Sequence, residues 1–398
     1  MGLKALNKAS KSAMNLARTG LSPVAVDFGV TSLKVLQVTS GENPALVAAA
    51  CLPTPDALLY DDSKRLAFQI ENLPKLVRQG GFKGKRGVCV LPADRTFCKH
   101  LQVTRSDGVQ VKELIEAAVP NELGCSASAL VLRHLEVEGV ERTSAPNKSE
   151  VICLATPREI VQKLMQALRA AKLEPVGLHD EFKSLVNAFR GMANEKAQTT
   201  LFLEIGWART RVVLANEQRM LFARCTEIGG RTLDEAVAHQ LKYELPQARE
   251  ERLKMERLTP EGVEPSITPA PEGQGMAMLN AAMRKVDGEG KPKGAAPRQA
   301  DLSEPLDTLK DEIAACLRYY ESLFPSRRVD RVVFLGGEAR HRALCQYLAK
   351  ALRVAGQVAD PMARIGRTGR EPSMGVDFHQ PQPGWAVVLG ACLSPTDL

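Results

Sequence analysis

Two segments of the chain repeat one arrangement of apolar and polar positions. Residues 24–38 read VAVDFGVTSLKVLQV, so that an apolar run leads into Asp27 and Gly29 and a second apolar run follows a short polar turn. Residues 200–214 read TLFLEIGWARTRVVL and show the same order. Apolar runs on either side of a glycine turn predict two short strands joined as a hairpin. The repeat therefore predicts two similar halves, each opened by such a hairpin.

Apolar positions elsewhere predict an alternation of strands and helices. Further strands are expected near 45–52, 87–91, 97–103, 129–137, 150–155, 219–226 and 331–335. Helices are expected near 62–79, 109–118, from Pro157 onwards, 231–244, 339–353 and 384–393, the second of them broken at Pro120. The stretch from Leu306 to Phe324 carries an apolar stripe that is typical of a core helix. This alternation is typical of an α/β fold.

Composition adds that the chain is long enough for two or three domains. It has 398 residues, of which 44% are hydrophobic and 25% charged, as in soluble globular proteins. No apolar run approaches the roughly 20 residues of a membrane-spanning helix, and the N-terminus lacks the apolar core of a secretory signal. The nine cysteines and six histidines are scattered, which argues against a zinc site. We expect a cytoplasmic protein with no nucleic-acid partner.

The most concentrated charge lies before the first acidic residue, Asp27. The basic residues there are Lys4, Lys8, Lys11 and Arg18. On a helix they would form one polar stripe, which is typical of a peripheral helix on an anionic membrane surface. The apolar face is mostly alanine and would bury little surface, so a disordered basic tail over residues 1–21 is the favoured interpretation.

Residues 258–300 differ in composition from the rest of the chain. Proline, glycine, alanine, lysine and glutamate dominate, and no stable period is present. This composition predicts a long disordered insert. A short helical stretch near Met276–Met283 is either a docking motif or a residual helix without function.

The first hairpin carries residue types that hold a phosphate. Gly29 allows the backbone to approach a ligand closely, while Thr31 and Ser32 supply hydroxyl donors. Lys34 adds positive charge. Asp27, at the end of the first strand, is suited to holding a metal ion through water. An ordinary turn with an acid at its edge is the alternative, and the second copy of the pattern argues against it.

Taken in order, these motifs resemble the PilM family of type IV pilus assembly, a group of actin/Hsp70-like ATPases. The resemblance rests on the hairpin at 27–34, on the second hairpin at 204–206 and on Gly336-Gly337 after a late strand. It implies an actin-like ATPase fold of the α/β class. Such a fold has two lobes with duplicated RNase H-like α/β domains, plus inserted 1C and 2B subdomains.

The resemblance also implies domain boundaries. After the N-terminal segment 1–21, subdomain 1A takes residues 22–94, 181–198 and 376–398, and subdomain 1C takes residues 95–180. Subdomain 2A takes residues 199–230 and 330–375, and subdomain 2B takes residues 231–329 with the insert 258–300.

By resemblance, the chain binds ATP and Mg²⁺ in the cleft between its two lobes. Asp27 and Glu204 are the expected metal-binding acids. The expected nucleotide-binding residues are Asp27, Gly29, Thr31, Ser32, Lys34, Glu204, Gly206, Gly229, Gly230, Glu251, Lys254, Gly336, Gly337 and Glu338. Glu251 would meet the ribose and Lys254 the base, and the alternative for this stretch is a solvated charged helix.

The second half departs from the family at three positions. Glu204 stands where the family has aspartate, and its carboxylate reaches one methylene further. Trp207 is bulky where the backbone must approach phosphate. These two departures predict ATP hydrolysis that is slow or absent. Glu338 stands where the family commonly has a third glycine or another small residue.

A polar segment at His179, Asp180 and Glu181 occupies the zone where the family positions its hydrolytic water. The sequence does not decide among the three, and we take Asp180 as the expected catalytic residue. No Ser-His-Asp or Cys-His arrangement is visible in local motifs.

The function implied by the resemblance is that of a nucleotide-binding scaffold in the inner-membrane assembly platform of a type IV pilus or a related secretion system. It would bind the cytoplasmic tail of a PilN-like inner-membrane protein, contact the cytoplasmic face of the inner membrane and self-associate. One alternative is an FtsA-like cell-division tether, which is disfavoured because the sequence ends at Leu398 directly after a core helix. A second is a sugar or acyl kinase of the same superfold, for which no base or substrate motif is clear. A third is a degenerate ATPase that binds nucleotide without turnover or no longer binds it.

Overall fold

A computed structural model describes residues 20–105, 108–141, 147–190, 198–216, 219–259 and 300–394. The predicted basic tail and nearly all of the predicted insert, including Met276–Met283, lie outside these residues. The described chain divides into two compact units. The first unit comprises residues 20–92, 159–189 and 360–394, and the second comprises residues 93–158 and the described part of 190–359.

Fourteen strands and ten α-helices are formed by the described residues. The strands are β1 (Val24–Phe28), β2 (Ser32–Val38), β3 (Leu46–Pro53), β4 (Arg86–Val90), β5 (Phe97–Thr104), β6 (Leu130–Glu136), β7 (Lys148–Pro157), β8 (Glu174–His179), β9 (Thr199–Ile205), β10 (Thr210–Asn216), β11 (Arg219–Thr226), β12 (Val329–Leu335), β13 (Gly356–Val358) and β14 (Ser373–Met374). The α-helices are α1 (Asp56–Leu59), α2 (Asp62–Gln79), α3 (Val111–Leu123), α4 (Arg158–Ala170), α5 (Glu181–Ala188), α6 (Gly230–Leu241), α7 (Leu245–Lys254), α8 (Ser303–Leu323), α9 (Arg342–Leu352) and α10 (Ala386–Leu393). Within the described ranges, each helix is too short or too polar to cross a bilayer.

The first unit is built on a six-stranded sheet with the order β14-β3-β2-β1-β4-β8. Strands β1, β2 and β3 pair antiparallel, whereas β4 and β8 run parallel to β1. All five residues of β1 are buried. Alternate residues Val24, Val26 and Phe28 pack in one core cluster with side chains of α2 and α4, and α10 packs against β1, β2 and α5. A strand buried in this way reads as a continuous apolar run in the sequence.

Helices α5 and α10 of the first unit meet through backbone atoms. A Cβ atom at Gly390 would lie 1.6 Å from the carbonyl oxygen of Ser184, so only glycine allows this contact. Trp385 directly precedes α10 and is 3% exposed. Its ring centroid lies 6.4 Å from that of Phe378. The predicted terminal helix is therefore a central part of the first unit's core.

The second unit contains a five-stranded sheet with the order β11-β10-β9-β12-β13. Strands β9, β10 and β11 pair antiparallel, and β12 and β13 run parallel to β9. The same order and the same directions occur in β3-β2-β1-β4-β8 of the first unit. The structure thus confirms the duplication that the two hairpins predict.

A three-stranded sheet with the order β5-β7-β6 belongs to the second unit. Helix α3 packs on it and contributes Val111, Ile115 and Val119 to a separate core cluster. On the side of β5, the ring of His100 stacks on Phe222 of β11 with centroids 5.0 Å apart. This sheet therefore shares a packed contact with the five-stranded sheet.

Two details differ from the sequence expectations. Strand β8 and helix α4 lie within the range 95–180 expected for subdomain 1C, but β8 pairs with β4 and α4 packs in the core of the first unit. The apolar face of α4 is explained by this packing. Helix α3 also continues through Pro120 to Leu123, and Gly124, with a left-handed φ of 63°, forms its C-cap. A proline inside a helix removes one backbone hydrogen bond and strains the preceding turn, and α3 ends within one turn of Pro120.

Candidate functional site

The first hairpin joins β1 to β2 and pairs an acid with a base. Asp27 lies opposite Lys34 in the antiparallel register. The Lys34 Nζ donates to Asp27 Oδ2 at 3.2 Å, and the two side chains are 15% and 6% exposed. The pair therefore places one negative and one positive charge side by side at the end of the hairpin, with Lys34 nearer to solvent.

Gly29 keeps the space beside this ion pair clear. A Cβ atom at Gly29 would lie 3.5 Å from Lys34 Nζ and 3.7 Å from Asp27 Oδ2. It would also lie 3.0 Å from the carbonyl oxygen of Ser32, which is tighter than most Cβ contacts. Any larger side chain at position 29 would thus enter the space in front of the charged groups. Thr31 is half-buried and Ser32 is buried beside it.

The turn of the first hairpin is held by Gln69, a residue that the sequence analysis missed. Gln69 is 1% exposed, and its Nε2 donates to the carbonyl oxygen of Gly29 at 2.7 Å and to Thr54 Oγ1 at 3.3 Å. The backbone N–H of Thr54 donates to the carbonyl oxygen of Thr31 at 3.0 Å. The sequence signal for Gln69 is its place on the buried face of α2, four positions before Leu73.

The second hairpin repeats this arrangement between β9 and β10. Glu204 lies opposite Arg211 in the register, and the two form an ion pair with both side chains 11% exposed. A Cβ atom at Gly206 would lie 3.0 Å from the carbonyl oxygen of Arg209. A Cβ atom at Gly29 would lie at the same distance from the carbonyl oxygen of Ser32. In both hairpins, a basic residue thus sits across the strands from the predicted metal-binding acid.

The turn of the second hairpin is hydrogen-bonded to the start of α6. The N–H of Gly230 donates to the carbonyl oxygen of Gly206 at 3.1 Å, and the N–H of Arg231 donates to that of Trp207 at 2.7 Å. A Cβ atom at Gly229 would lie 2.6 Å from the carbonyl oxygen of Gly206, so this position requires glycine. These first N–H groups of α6 are the ones that commonly bind anions, and here they bond to the protein's own turn.

Trp207 lies in the turn of the second hairpin and is buried. Its side chain is 3% exposed, and its Nε1 donates to Asp234 Oδ2 at 2.7 Å. The indole therefore points to α6. The effect of Trp207 on hydrolysis stays a prediction.

Asp234 belongs to a buried ion cluster formed by Trp207, Asp234, Arg252 and Glu338. The Arg252 Nε donates to Asp234 Oδ1 at 2.6 Å, and its Nη1 donates to Glu338 Oε2 at 2.7 Å. The Arg252 side chain is 0% exposed. Burial alone would lower the pKa of Arg252, but the carboxylates of Glu338 and Asp234 outweigh it and raise the pKa. The guanidinium therefore stays charged inside the second unit.

The sequence pattern predicts ligand contacts for Glu251 and Lys254 but none for Arg252, which lies between them. Glu251 is half-buried, and Lys254 is exposed and donates to Glu250 Oε1 at 2.7 Å. Helix α7 instead presents Ala248 and Arg252 to the interior, one helical turn apart. The contacts that Glu251 and Lys254 would make with ribose and base stay a prediction.

Gly336 and Gly337 follow β12 and differ in whether a side chain would fit at the position. Gly336 has φ +88°, and a Cβ atom there would lie 2.2 Å from the carbonyl oxygen of Ile205, so the backbone of β9 requires glycine. A Cβ atom at Gly337 would meet no atom within 4 Å among the described residues. Glu338 follows them in a short 3₁₀ helix and is 5% exposed. The buried carboxylate thus lies directly beside the predicted nucleoside contacts.

Asp180 has a structural role in the first unit. Its Oδ1 accepts the backbone N–H of Lys183 at 2.7 Å and so caps the N-terminus of α5. Burial raises the pKa of Asp180, although the hydrogen bond from Lys183 opposes the rise. Burial lowers the pKa of the neighbouring His179. The catalytic role of Asp180 stays a prediction.

The two sheets share one order of five strands, and each is opened by an acid-x-Gly hairpin; together they define a protein with the actin-like ATPase fold. A family model described as type IV pilus assembly protein PilM matches residues 25–270. The chain therefore belongs to the PilM family.

The chain is also similar in fold to solved structures. The chain is similar to a PilM–PilN type IV pilus biogenesis complex, with 21% identity, a TM-score of 0.65, and 94% of this chain and 98% of that chain covered. It is more distantly similar to the ethanolamine utilization protein EutJ from Carboxydothermus hydrogenoformans, with 13% identity, a TM-score of 0.45 and 94% and 89% covered. MreB5 of Spiroplasma citri bound to ADP gives 11% identity, a TM-score of 0.45 and 94% and 95% covered. No curated protein sequence matches the chain.

Proposed function

We propose that this chain is a scaffold of a type IV pilus assembly platform that binds a nucleotide and the tail of a PilN-like membrane protein. Support comes from its membership of the PilM family and from the fold it shares with a solved PilM–PilN complex. The observation that carries the nucleotide part is the repeated hairpin, in which an acid at the strand end faces a basic residue and a glycine forms the turn.

The protein partner in this proposal is a short cytoplasmic tail of a single membrane protein. Such a peptide is recognised either by adding a strand to a sheet edge or by lying in a groove with a few apolar pockets. Binding of the tail would hold the chain at the cytoplasmic face of the inner membrane. Self-association within the platform and a direct contact of the basic N-terminal segment with lipid would be secondary.

The nucleotide in this proposal is ATP with Mg²⁺, which when bound supplies positive charge to the phosphates. The residues of the first unit fit this role, because Gly29 leaves space in front of Asp27 and Lys34. Asp27 is the acid of the first unit that would hold the ion through water. Glu204 is committed to Arg211 and Asp180 to the cap of α5, so we expect hydrolysis to be slow or absent.

Titration calorimetry with ATP and ADP, in the presence and absence of Mg²⁺, tests the nucleotide part. The variant Gly29→Val is expected to lose binding, because its side chain would fill the space beside Lys34 and Asp27. Gly366→Ala is the matched control, since a Cβ atom there lies 3.5 Å from that of Ala45 in ordinary contact. If the folded native protein binds neither nucleotide, the nucleotide part of the proposal is wrong. Titration with a synthetic tail peptide tests the partner part separately.

A further inference from the structure

We infer that the Glu338 side chain occupies part of the nucleotide site in the second unit. It thereby weakens nucleotide binding by this chain. The inference rests on the proposed function, because it concerns how tightly the same site takes its ligand. It assigns a role in nucleotide affinity to a residue that stands where the family resemblance predicts a glycine or another small side chain.

The geometry brings the Glu338 carboxylate to the start of α6. A Cβ atom at Gly230 would lie 2.4 Å from Glu338 Oε1, so the carboxylate packs directly over the first residue of the helix. The same Cβ atom would lie 3.0 Å from Arg252 Nη2. The space between Gly230 and the end of β12 is therefore filled by the protein's own charged side chains.

The position of Glu338 is one that suits an anion. The N-terminus of a helix carries a partial positive charge and favours a negative group. Arg252 adds a full positive charge and donates its Nη1 to Glu338 Oε2 at 2.7 Å. Glu338 thus occupies, through a covalently attached carboxylate, a place that an anionic or hydroxyl-rich ligand would otherwise take.

The ion cluster retains one unused hydrogen-bond donor, which belongs to Arg252. Its Nη2 is buried and makes no hydrogen bond within the part of the chain that the structure describes. The cluster also holds two carboxylates, Asp234 and Glu338, against one guanidinium, so its net charge is negative. A negative cluster disfavours a phosphate nearby, whereas Arg252 with Asp234 alone would be neutral and would offer two free nitrogen atoms. Removal of Glu338 should therefore favour nucleotide binding.

A merely structural role for Glu338 makes the opposite prediction. In that case, its loss would leave Arg252 with one partner, the second unit would be less stable, and nucleotide affinity would be unchanged or lower. The two roles are distinguished by measuring affinity and stability in the same variants.

The test is the dissociation constant of Mg²⁺-ADP for the native chain and for Glu338→Gly, measured by titration calorimetry. We expect the variant to bind about tenfold more tightly or better, even though it loses one ion pair. Glu150→Gln is the matched control. Glu150 is a 4% exposed carboxylate of the second unit that bonds to Gln102 and Tyr319, so its loss should lower stability without changing the affinity for ADP.

The outcomes separate this inference from the proposed function. Equal, measurable binding by the native chain and Glu338→Gly, or weaker binding by the variant, overturns the inference and leaves the proposed function intact. No binding by either folded protein overturns the nucleotide part of the proposed function and the inference with it. Should Glu338→Gly fail to fold, Glu338→Gln keeps the volume and removes the charge, and it must also bind ADP more tightly than the native chain.

Discussion

The two hairpins share one register but are held in place by different parts of the protein. In the first hairpin, the side chain of Gln69 donates to the carbonyl oxygen of Gly29, and the backbone N–H of Thr54 donates to that of Thr31. In the second, the turn at Gly206 is bonded to the N-terminus of α6, and Trp207 connects it to the buried ion cluster. The strand order and the acid–base pairing were retained in both copies, whereas the supporting contacts were not.

This difference indicates a division of labour between the two units. The charged pair of the first hairpin borders a space that Gly29 keeps open. The turn of the second hairpin has committed its carbonyl groups to α6, and the neighbouring space is occupied by Glu338. We therefore expect changes to the turn of the first hairpin to weaken ligand binding and changes to the contacts of Trp207 and Arg252 to lower stability. Glu338 is the exception near the second hairpin, because its removal should tighten ligand binding.

The largest effect is expected from breaking the ion cluster. Arg252→Met would leave the carboxylates of Asp234 and Glu338 without their shared partner inside the second unit. Breaking a buried ion pair costs about 3–5 kcal/mol, so the free energy of unfolding in urea should fall by that amount. Lys34→Met in the first hairpin is the comparison, and we expect a loss of about 1–2 kcal/mol because its side chain reaches solvent. Equal losses in the two variants would contradict the division of labour.

A smaller effect is expected from removing the hydrogen bonds that hold each turn. Gln69→Leu removes the bonds to Gly29 and Thr54, and Trp207→Phe removes the bond to Asp234. Each change should lower the free energy of unfolding by about 1–2 kcal/mol. Only Gln69→Leu should weaken the binding of ATP measured by calorimetry, because only it frees the turn of the first hairpin. Loss of affinity in Trp207→Phe to the same degree would show that both turns contribute to binding.

The smallest effect concerns pH and is expected in both units. Burial lowers the pKa of His341 in the second unit and of His179 in the first. Below the ordinary histidine pKa of about 6.5, the unfolded chain takes up protons that the folded chain resists, so stability falls as the pH decreases. Urea unfolding at about pH 7.5 and at about pH 5.5 should show this loss. His341→Gln and His179→Gln should each reduce it, and an unchanged difference in both variants would contradict the prediction.

The repeated parts of the fold were accessible from the sequence because they depend on local patterns. Apolar runs around Asp27 and Glu204 predicted the hairpins, and their order predicted two similar sheets. The glycines at 29, 206 and 336 were also recognisable, because each stands at a turn where the backbone approaches another group.

The contacts that distinguish the two units were not accessible, because they join residues far apart in the sequence. Arg252 and Glu338 meet across 86 positions, and Gln69 meets Gly29 across 40. The direction of Trp207 depends on Asp234, which the pattern of α6 gives no reason to single out. The placement of β8 beside β4 likewise depends on strand pairing that the apolar run alone does not specify.

The two tryptophans of the chain give each unit its own optical reporter. Trp207 belongs to the second unit and Trp385 to the first, and both are buried. Their surroundings differ, since the indole of Trp207 donates to a carboxylate while that of Trp385 lies near the ring of Phe378. Their intrinsic fluorescence therefore contains two separable signals. A Trp385→Phe chain reports on the second unit alone and a Trp207→Phe chain on the first, so an unlabelled titration shows which unit responds to a ligand.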